Sequence, residues 1–333
     1  VKPLTVQAPG ESLNYSIIVP TYNRSALLVA LLKSFQSMRI PGGVTWEVIV
    51  VDNNSSDDTR HVIDGFIHEG VLPLRYCLEV RQGVGHARNS GIHASRGKIL
   101  AFVDDDEIVV EDWLAVVHSA FQRYCCAAVG GRVLPRWISP PPNWYTTDGP
   151  YRIIGPIQDH DLGEAIIDYN GDAQMPLGGN LAVSRECFDK YGLFRTDLGP
   201  LRGEAYVMGE DTEFSLRLLK GGERLVYLPS AVAFNAVHAE RLTKKFCRSF
   251  YFRLGRSMAM LRRTTGRRLI GVPRHLFLRV VELMVAWIGS MLRGSSQGRL
   301  YFEFQVVYLT GQIYQHLYKS RDRSSEGRGG ISA

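Results

Sequence analysis

The chain of 333 residues predicts an α/β protein: a mostly parallel central sheet flanked by helices, followed by a basic C-terminal helical extension. Three observations carry that reading. Short β-branched runs alternate with helix-like stretches from Tyr15 onward, which is the pattern of successive βαβ units. A composition of 45% hydrophobic and 10% aromatic residues supplies a full core. Charge is also unevenly spread: residues 1–240 carry 21 Lys+Arg against 29 Asp+Glu, whereas 241–333 carry 18 against 4, a local +14 in a chain of net +6.

The first strand is YSIIVP (15–20), followed by a helix over SALLVALLKSFQSM (25–38). WEVIVVD (46–52) and LRYCLEV (74–80) are the next strands, with DDTRHVIDGFIHEG (57–70) as the helix between them and Ser56 or Asp57 as its N-cap. GHARNSGIHAS (85–95), KILAFVD (98–104) and EDWLAVVHSAFQRY (111–124) complete four strand-helix pairs. In open parallel sheets ligands bind beyond the carboxyl ends of the strands, so PTYNR, VDNNSSDDT and VDDDE are expected around one crevice. Residues 133–177 are Pro-, Trp- and Tyr-rich and aperiodic, as functional loops are.

Order resumes with GGNLAVSRECFDKYGLF, the helix GEDTEFSLRLLKGG, and strand-like RLVYLP and AVAFNAVH. Three helices then cover 241–263, 273–293 and 299–319. The expected organisation is an arm over 1–14, a catalytic domain over 15–240 divided at 132/133, a basic helical extension over 241–320, and a disordered tail over 321–333. Substrate specificity is expected to reside in 133–177 and in the C-terminal helices.

The first 14 residues lack the apolar segment of a secretion signal, and no run reaches the length expected of a membrane span, so a cytoplasmic location is expected. Five cysteines without paired spacing read as reduced, mostly buried thiols. The basic region suits an anionic surface, either a membrane leaflet or a nucleic acid; a solvated basic face is the plainer reading. Within it, Leu283 to Leu292 is an uncharged run of ten residues flanked by basic ones, with Trp287 on it. That pattern suits a helix lying in the membrane interface on the inner, cytoplasmic face; the competing reading is packing on the catalytic domain or on a second copy of the chain. Aromatics interleave the charge at helical spacing, which suits a core, and no nucleic acid is expected as partner.

Chemistry concentrates at Asp104, Asp105, Asp106 and Glu107, where a buried strand emerges. Alternate side chains of an extended segment share a side, so Asp104 and Asp106 are expected to face one ligand. A hard cation, Mn²⁺ or Mg²⁺, held there would hold a diphosphate; capping of the following helix is the structural alternative. Asp52 ends another strand, where a carboxylate can accept the ring N–H of a uracil. Gly178, Gly179 and Asn180 suggest a backbone closely approached by a sugar, or an ordinary turn. GVGHAR (83–88) lacks the third glycine of a dinucleotide fingerprint.

In order, SIIVPTYNR, EVIVVDNNSSDDT, RQGVGHARNSGI, AFVDDDE, LGGNLAVSRECFDKYGLF and GEDTEFSLRL resemble the inverting glycosyltransferases of family 2 with the GT-A nucleotide-diphospho-sugar fold. The resemblance covers roughly residues 15–240. It implies a nucleotide-sugar donor, a UDP-sugar first among them, a carbohydrate or lipid-linked acceptor, and a divalent metal. Pro20, Thr21, Tyr22, Asn23, Arg24, Asp52, Arg88, Asp104 and Asp105 would bind the nucleotide, and Gly178, Gly179 and Asn180 the sugar or acceptor. Asp106 and His238 would hold the metal, Asp211 would be the catalytic base, and Glu210 would share acceptor binding.

Inversion needs a base on one face of the anomeric carbon and stabilisation of a leaving diphosphate on the other, hence carboxylates in two places. Asp211 opens a helix whose N-terminal dipole favours its ionised form. A nucleotidyltransferase would want a basic, Gly-rich triphosphate loop after the first strand, and PTYNRSALL is not one. A basic nucleic-acid- or membrane-binding protein without catalysis rests on the C-terminal charge alone.

Overall fold

The computed structural model describes residues 12–171, 175–199, 207–261 and 267–326. Two compact units divide the chain: 1–136 with 158–236, and 137–157 with 237–333.

The first unit opens with β1 (Leu13–Thr21), α1 (Ser25–Gln36), β2 (Trp46–Asp52), α2 (Thr59–Glu69), β3 (Leu74–Leu78), α3 (Val84–Ala94) and β4 (Gly97–Val103). β5 (Glu107–Val109), α4 (Trp113–Arg123), β6 (Ala128–Trp137), β7 (Ile167–Asp168), β8 (Asn180–Ser184), α5 (Arg185–Tyr191), α6 (Glu210–Lys220) and β9 (Leu225–Val237) follow. The sheet order is β3-β2-β1-β4-β8-β6-β9-β5. β3, β2, β1 and β4 run parallel, and β8 continues the sheet antiparallel to β4.

Alternation in the strands builds a core on each face. Tyr15, Ile17, Val19, Val48 and Val50 pack with the buried sides of α1, α2 and α4. Ile18, Ile49, Val51, Leu100 and Phe102 turn the other way, toward α3, α5 and α6. In α1 the buried residues are Leu28, Leu31, Leu32 and Phe35, the i, i+3, i+4, i+7 stripe of a helix lying on a sheet. Asp57 joins the two βα turns: its carboxylate accepts the N–H of Ser25 at 3.0 Å and of Thr59 at 3.1 Å, fastening the starts of α1 and α2 together.

The second unit contains α7 (Lys244–Leu261), the hairpin β10 (Arg268–Leu269) and β11 (Val272–Pro273), α8 (Arg274–Leu292) and α9 (Ser296–Glu326). Tyr145, Ile153 and Ile157 are buried with Leu242, Cys247, Tyr251, Leu300 and Phe304. The Tyr251 hydroxyl donates to the Ile154 carbonyl at 2.8 Å, and its ring stacks on Phe304 at 5.3 Å.

Several expectations need correction. Residues 137–157 cluster with the C-terminal helices and not with the rest of 133–240, because their aromatics find their core there. β1 begins at Leu13, and the rest of the expected arm, 1–11, lies outside the described residues. RLVYLP and AVAFNAVH are one strand, since Pro229 falls between the β7 register at Val226 and Tyr227 and the β5 register from Ala233 to Asn235. α9 runs to Glu326 into the stretch expected to be disordered, as helix propagation adds a hydrogen bond per residue; 327–333 lie outside the described residues. α8, with a mean hydropathy of 1.5, is long and apolar enough to cross a membrane by length and composition, and Trp287 on it is half-buried.

Candidate active site

The parallel strands β1, β2 and β4 end together, and a cavity of about 280 Å³ opens at that edge. Pro20, Thr21, Tyr22 and Arg24 line it from the end of β1, and Asp104 and Asp105 from the end of β4. Asn53, Gln82, Gly83, Val84 and Ala87 complete the wall. Sequence reasoning missed Asn53, whose amide donates to the carbonyls of Glu79 at 2.9 Å and Arg81 at 2.7 Å and whose Oδ1 accepts from Gly83 N at 2.8 Å. The one available signal was its place after a strand-ending aspartate. Asp52 is turned inward instead: it is buried, and it accepts hydrogen bonds from Ser55 N at 2.8 Å and the Tyr76 hydroxyl at 3.1 Å, so the cavity wall beyond β2 is Asn53 and not Asp52. Asn23 lies outside the lining and braces the loop after β2, accepting from Ser56 N at 2.7 Å.

The acidic run does not stay extended. Glu107 N donates to the Asp104 carbonyl at 3.1 Å, closing a turn, so the same-side rule fails and Asp104 and Asp106 diverge. Asp104 accepts from Arg88 at 3.0 Å. Asp105 accepts from the Thr21 hydroxyl at 2.8 Å and from Arg24 at 2.9 Å, and Arg24 reaches Asp106 at 3.3 Å. Asn235 donates to the other Asp106 oxygen at 2.8 Å. Two arginines thus supply the positive charge that the aspartates require. Burial lifts Asp105 to about 6, with Arg24 pulling down and Asp106 pushing up. Glu107 is pushed well above the carboxylate range by burial and by Asp104 and Asp106, and neither of its side-chain oxygens has a hydrogen-bond partner among the described residues.

Arg88 binds a second acid from the other side: its guanidinium lies 2.5 Å from Glu210, the first residue of α6. Gly209, at φ 100°, turns the chain into that helix in a conformation costly for any other residue. Burial and the adjacent Asp211 push Glu210 up to about 7 against the pull of Arg88. Asp211 is half-buried and accepts from its neighbour Thr212 N at 2.7 Å and from Gly178 N at 2.8 Å.

The GGN segment packs closely against charged side chains. A Cβ on Gly178 would lie 2.6 Å from an Arg88 nitrogen, and one on Gly179 would lie 2.5 Å from a Glu107 oxygen and 2.9 Å from an Asp104 oxygen. These glycines make room for the protein's own charged groups. Asn180 is fully engaged within the fold, accepting from Trp113 Nε1 at 2.9 Å and donating to the carbonyls of Arg132 at 3.0 Å and Ala231 at 2.8 Å. It is a strut between strands.

Among the described residues no three His, Cys, Asp or Glu side chains are already clustered as a cation site. The donor set nevertheless fits a hard divalent ion. It is all carboxylate, the Asp104 side chain is 23% exposed, and the Arg24 side chain that bridges Asp105 and Asp106 is 45% exposed and displaceable. His238 directly follows β9 in the second unit, with Nε2 buried and without a hydrogen-bond partner among the described residues.

The sequence profile described as Glycosyl transferase family 2 matches residues 16–190. The succinoglycan biosynthesis protein ExoM of Rhizobium meliloti is 26% identical over 259 residues, 76% of each chain. The glucosyl-dolichyl phosphate glucuronosyltransferase of Haloferax volcanii is 27% identical over 183 residues, 54% of this chain and 55% of that one. Among solved structures, the mannosyltransferase PcManGT of Pyrobaculum calidifontis, in complex with GDP-Man and Mn²⁺, superposes with a TM-score of 0.62 at 20% identity, covering 96% of this chain and 91% of that one. That likeness establishes the shared fold.

Proposed function

The chain belongs to glycosyl transferase family 2 and is a glycosyltransferase, and on that premise we propose that it moves a sugar with inversion from a nucleotide-diphospho-sugar, a UDP-sugar first, to an acceptor hydroxyl. The acceptor is a carbohydrate or a lipid-linked saccharide in polysaccharide or glycolipid synthesis, the setting named for ExoM and for the dolichyl phosphate enzyme. Action at the cytoplasmic face of a membrane is part of the same proposal.

The observation that carries it is Arg88, which joins the acid at the nucleotide-sized cavity to the acid beside the proposed base. Tyr22 offers its ring to the base of the nucleotide, and Thr21 and Asp105 hold the end of β1 against the end of β4. Asp211, at the start of α6, takes the proton of the acceptor hydroxyl as that oxygen attacks the anomeric carbon. The bond from that carbon to the diphosphate breaks on the opposite face. Asp106, with His238 by the resemblance, would hold Mn²⁺ or Mg²⁺, which when bound neutralises charge on the leaving diphosphate, while Asp104 would meet the nucleotide.

The test separates binding from turnover across UDP- and GDP-sugars, with and without Mn²⁺. Asp211→Asn is expected to keep donor affinity and to lose on the order of 10²–10⁴ in turnover. Asp106→Ala is expected to lose the metal dependence of donor binding. Near wild-type transfer by Asp211→Asn would move the base to another residue, with Glu210 next.

A further inference from the structure

We propose that the outward face of α8, together with the tip of the β10–β11 hairpin, is a docking surface that lies in the plane of an anionic membrane leaflet. α8 has three faces. At about 100° per residue, Leu276, Val280, Leu283 and Ser290 share one side, and Leu276 and Leu283 pack there with Leu309 of α9. Leu278, Val281, Val285, Ile288 and Leu292 fall within about 80° of one another on a second side. Each of these five is between 49% and 85% exposed. Glu282 and Arg293 fall on a third side, with Arg279 at its edge. An apolar stripe of this length, left uncovered beside a packed one, needs a partner.

The hairpin adds a second apolar element just before the helix. Leu269 and Ile270 are exposed at its tip, Ile270 by 76%. Ile270 has φ 53°, an unfavourable conformation for a β-branched residue that faces an isoleucine out of the protein. Arg268 ends on one side of this tip and Arg274 starts α8 on the other, with Arg293 at the far end of the helix. A stripe of aliphatic side chains bracketed by arginines matches hydrocarbon edged by anionic headgroups, and the +14 balance of residues 241–333 adds long-range attraction.

Crossing the bilayer is disfavoured, although α8 has the length for it. Arg279 and Glu282, paired at 2.7 Å and each 61% exposed at the side chain, sit in its middle and would enter the hydrocarbon. Spanning would also carry inward the α9 surface packed on Leu276 and Leu283. Lying flat satisfies the apolar stripe and leaves that pair in water.

Vesicle co-sedimentation of the full chain tests the surface without reading glycosyl transfer, so it can fail while the enzymatic proposal stands. Binding is expected to vesicles of phosphatidylcholine with phosphatidylglycerol, weaker binding to phosphatidylcholine alone, and release by high salt. Val281→Asp with Val285→Asp is expected to lower the partition coefficient by at least about tenfold. The circular dichroism spectrum and nucleotide affinity should stay unchanged, since both side chains point away from any core. Arg274→Ser with Arg293→Ser is expected to remove the preference for anionic lipid. Three outcomes overturn the proposal: no binding to either vesicle, equal binding by the double aspartate variant, or a solution dimer that this variant dissolves.

Discussion

Arg88 is almost entirely enclosed, and two carboxylates from distant parts of the sequence meet on its guanidinium. Its planar fork can serve both at once, which the single ammonium of a lysine cannot do with the same geometry. Arg88→Met should therefore leave Glu210 buried without its cation and cost about 3–5 kcal/mol of unfolding free energy. Adding Glu210→Gln to that variant should recover part of the loss, because the stranded charge is gone. Denaturant titration of the two single variants and the double variant checks this, and simple additivity would mean that the ion pair is not the source of the cost. The glycine at 179 belongs to the same arrangement. Gly179→Ala should lower transfer sharply by displacing Glu107 and Asp104, where the same change at Gly42, with open space around it and an ordinary backbone conformation, should not.

The parallel strands are fastened at the end away from the cavity by a single acid. Glu47 of β2 is 1% exposed at the side chain and accepts from Ser16 of β1 at 2.7 Å, Arg75 of β3 at 2.7 Å and Arg96, just before β4, at 3.0 Å. Burial pushes its pKa up, but the hydrogen bonds from Arg75, Ser16 and Arg96 outweigh it and hold the group below the usual glutamate value of 4.5. A depressed carboxyl stabilises the fold above its unfolded pKa, so this contribution is full at neutral pH and is lost as pH falls below 4.5. Glu47→Gln is expected to lower stability at pH 7 by about 1–3 kcal/mol, with partly exposed arginines keeping it from being larger. It should also flatten the fall in stability on acidification, as thermal melts across pH would record. β2 was readable from WEVIVVD because strands buried on both faces are continuous apolar runs, but nothing local in that run marks Glu47 as the clasp. The same divide holds at the site. The polar clusters after β1, β2 and β4 were legible because they end apolar runs. The partners of Asp104 and Asp106, the inward turn of Asp52 and the strut role of Asn180 were not, because each depends on residues tens of positions away. β5 was missed as too short to show a period, and β9 was split by a proline that its pairing tolerates.

At the scale of the whole molecule, the chain crosses from one compact unit to the other three times, after residues 136, 157 and 236. Val133 and His160 pair as an isolated antiparallel bridge, so the excursion over 137–157 leaves and returns at nearly one place. Ending the chain at 236 should give insoluble protein, because Tyr145, Ile153 and Ile157 would lose Leu242, Cys247, Tyr251 and Phe304 from their shared core. Removing 137–157 as well, with a short Gly/Ser link from 136 to 158, should restore solubility and nucleotide binding. Soluble yield and a nucleotide-induced thermal shift decide it, and a soluble chain ending at 236 with the excursion intact would refute the shared core. For recombination between relatives, one crossover near residue 240 would import foreign helices onto a native aromatic excursion and spoil the packing of both. The two segments can be exchanged only as a pair, so an ancestral exchange of this unit would leave two linked scars in the gene rather than one.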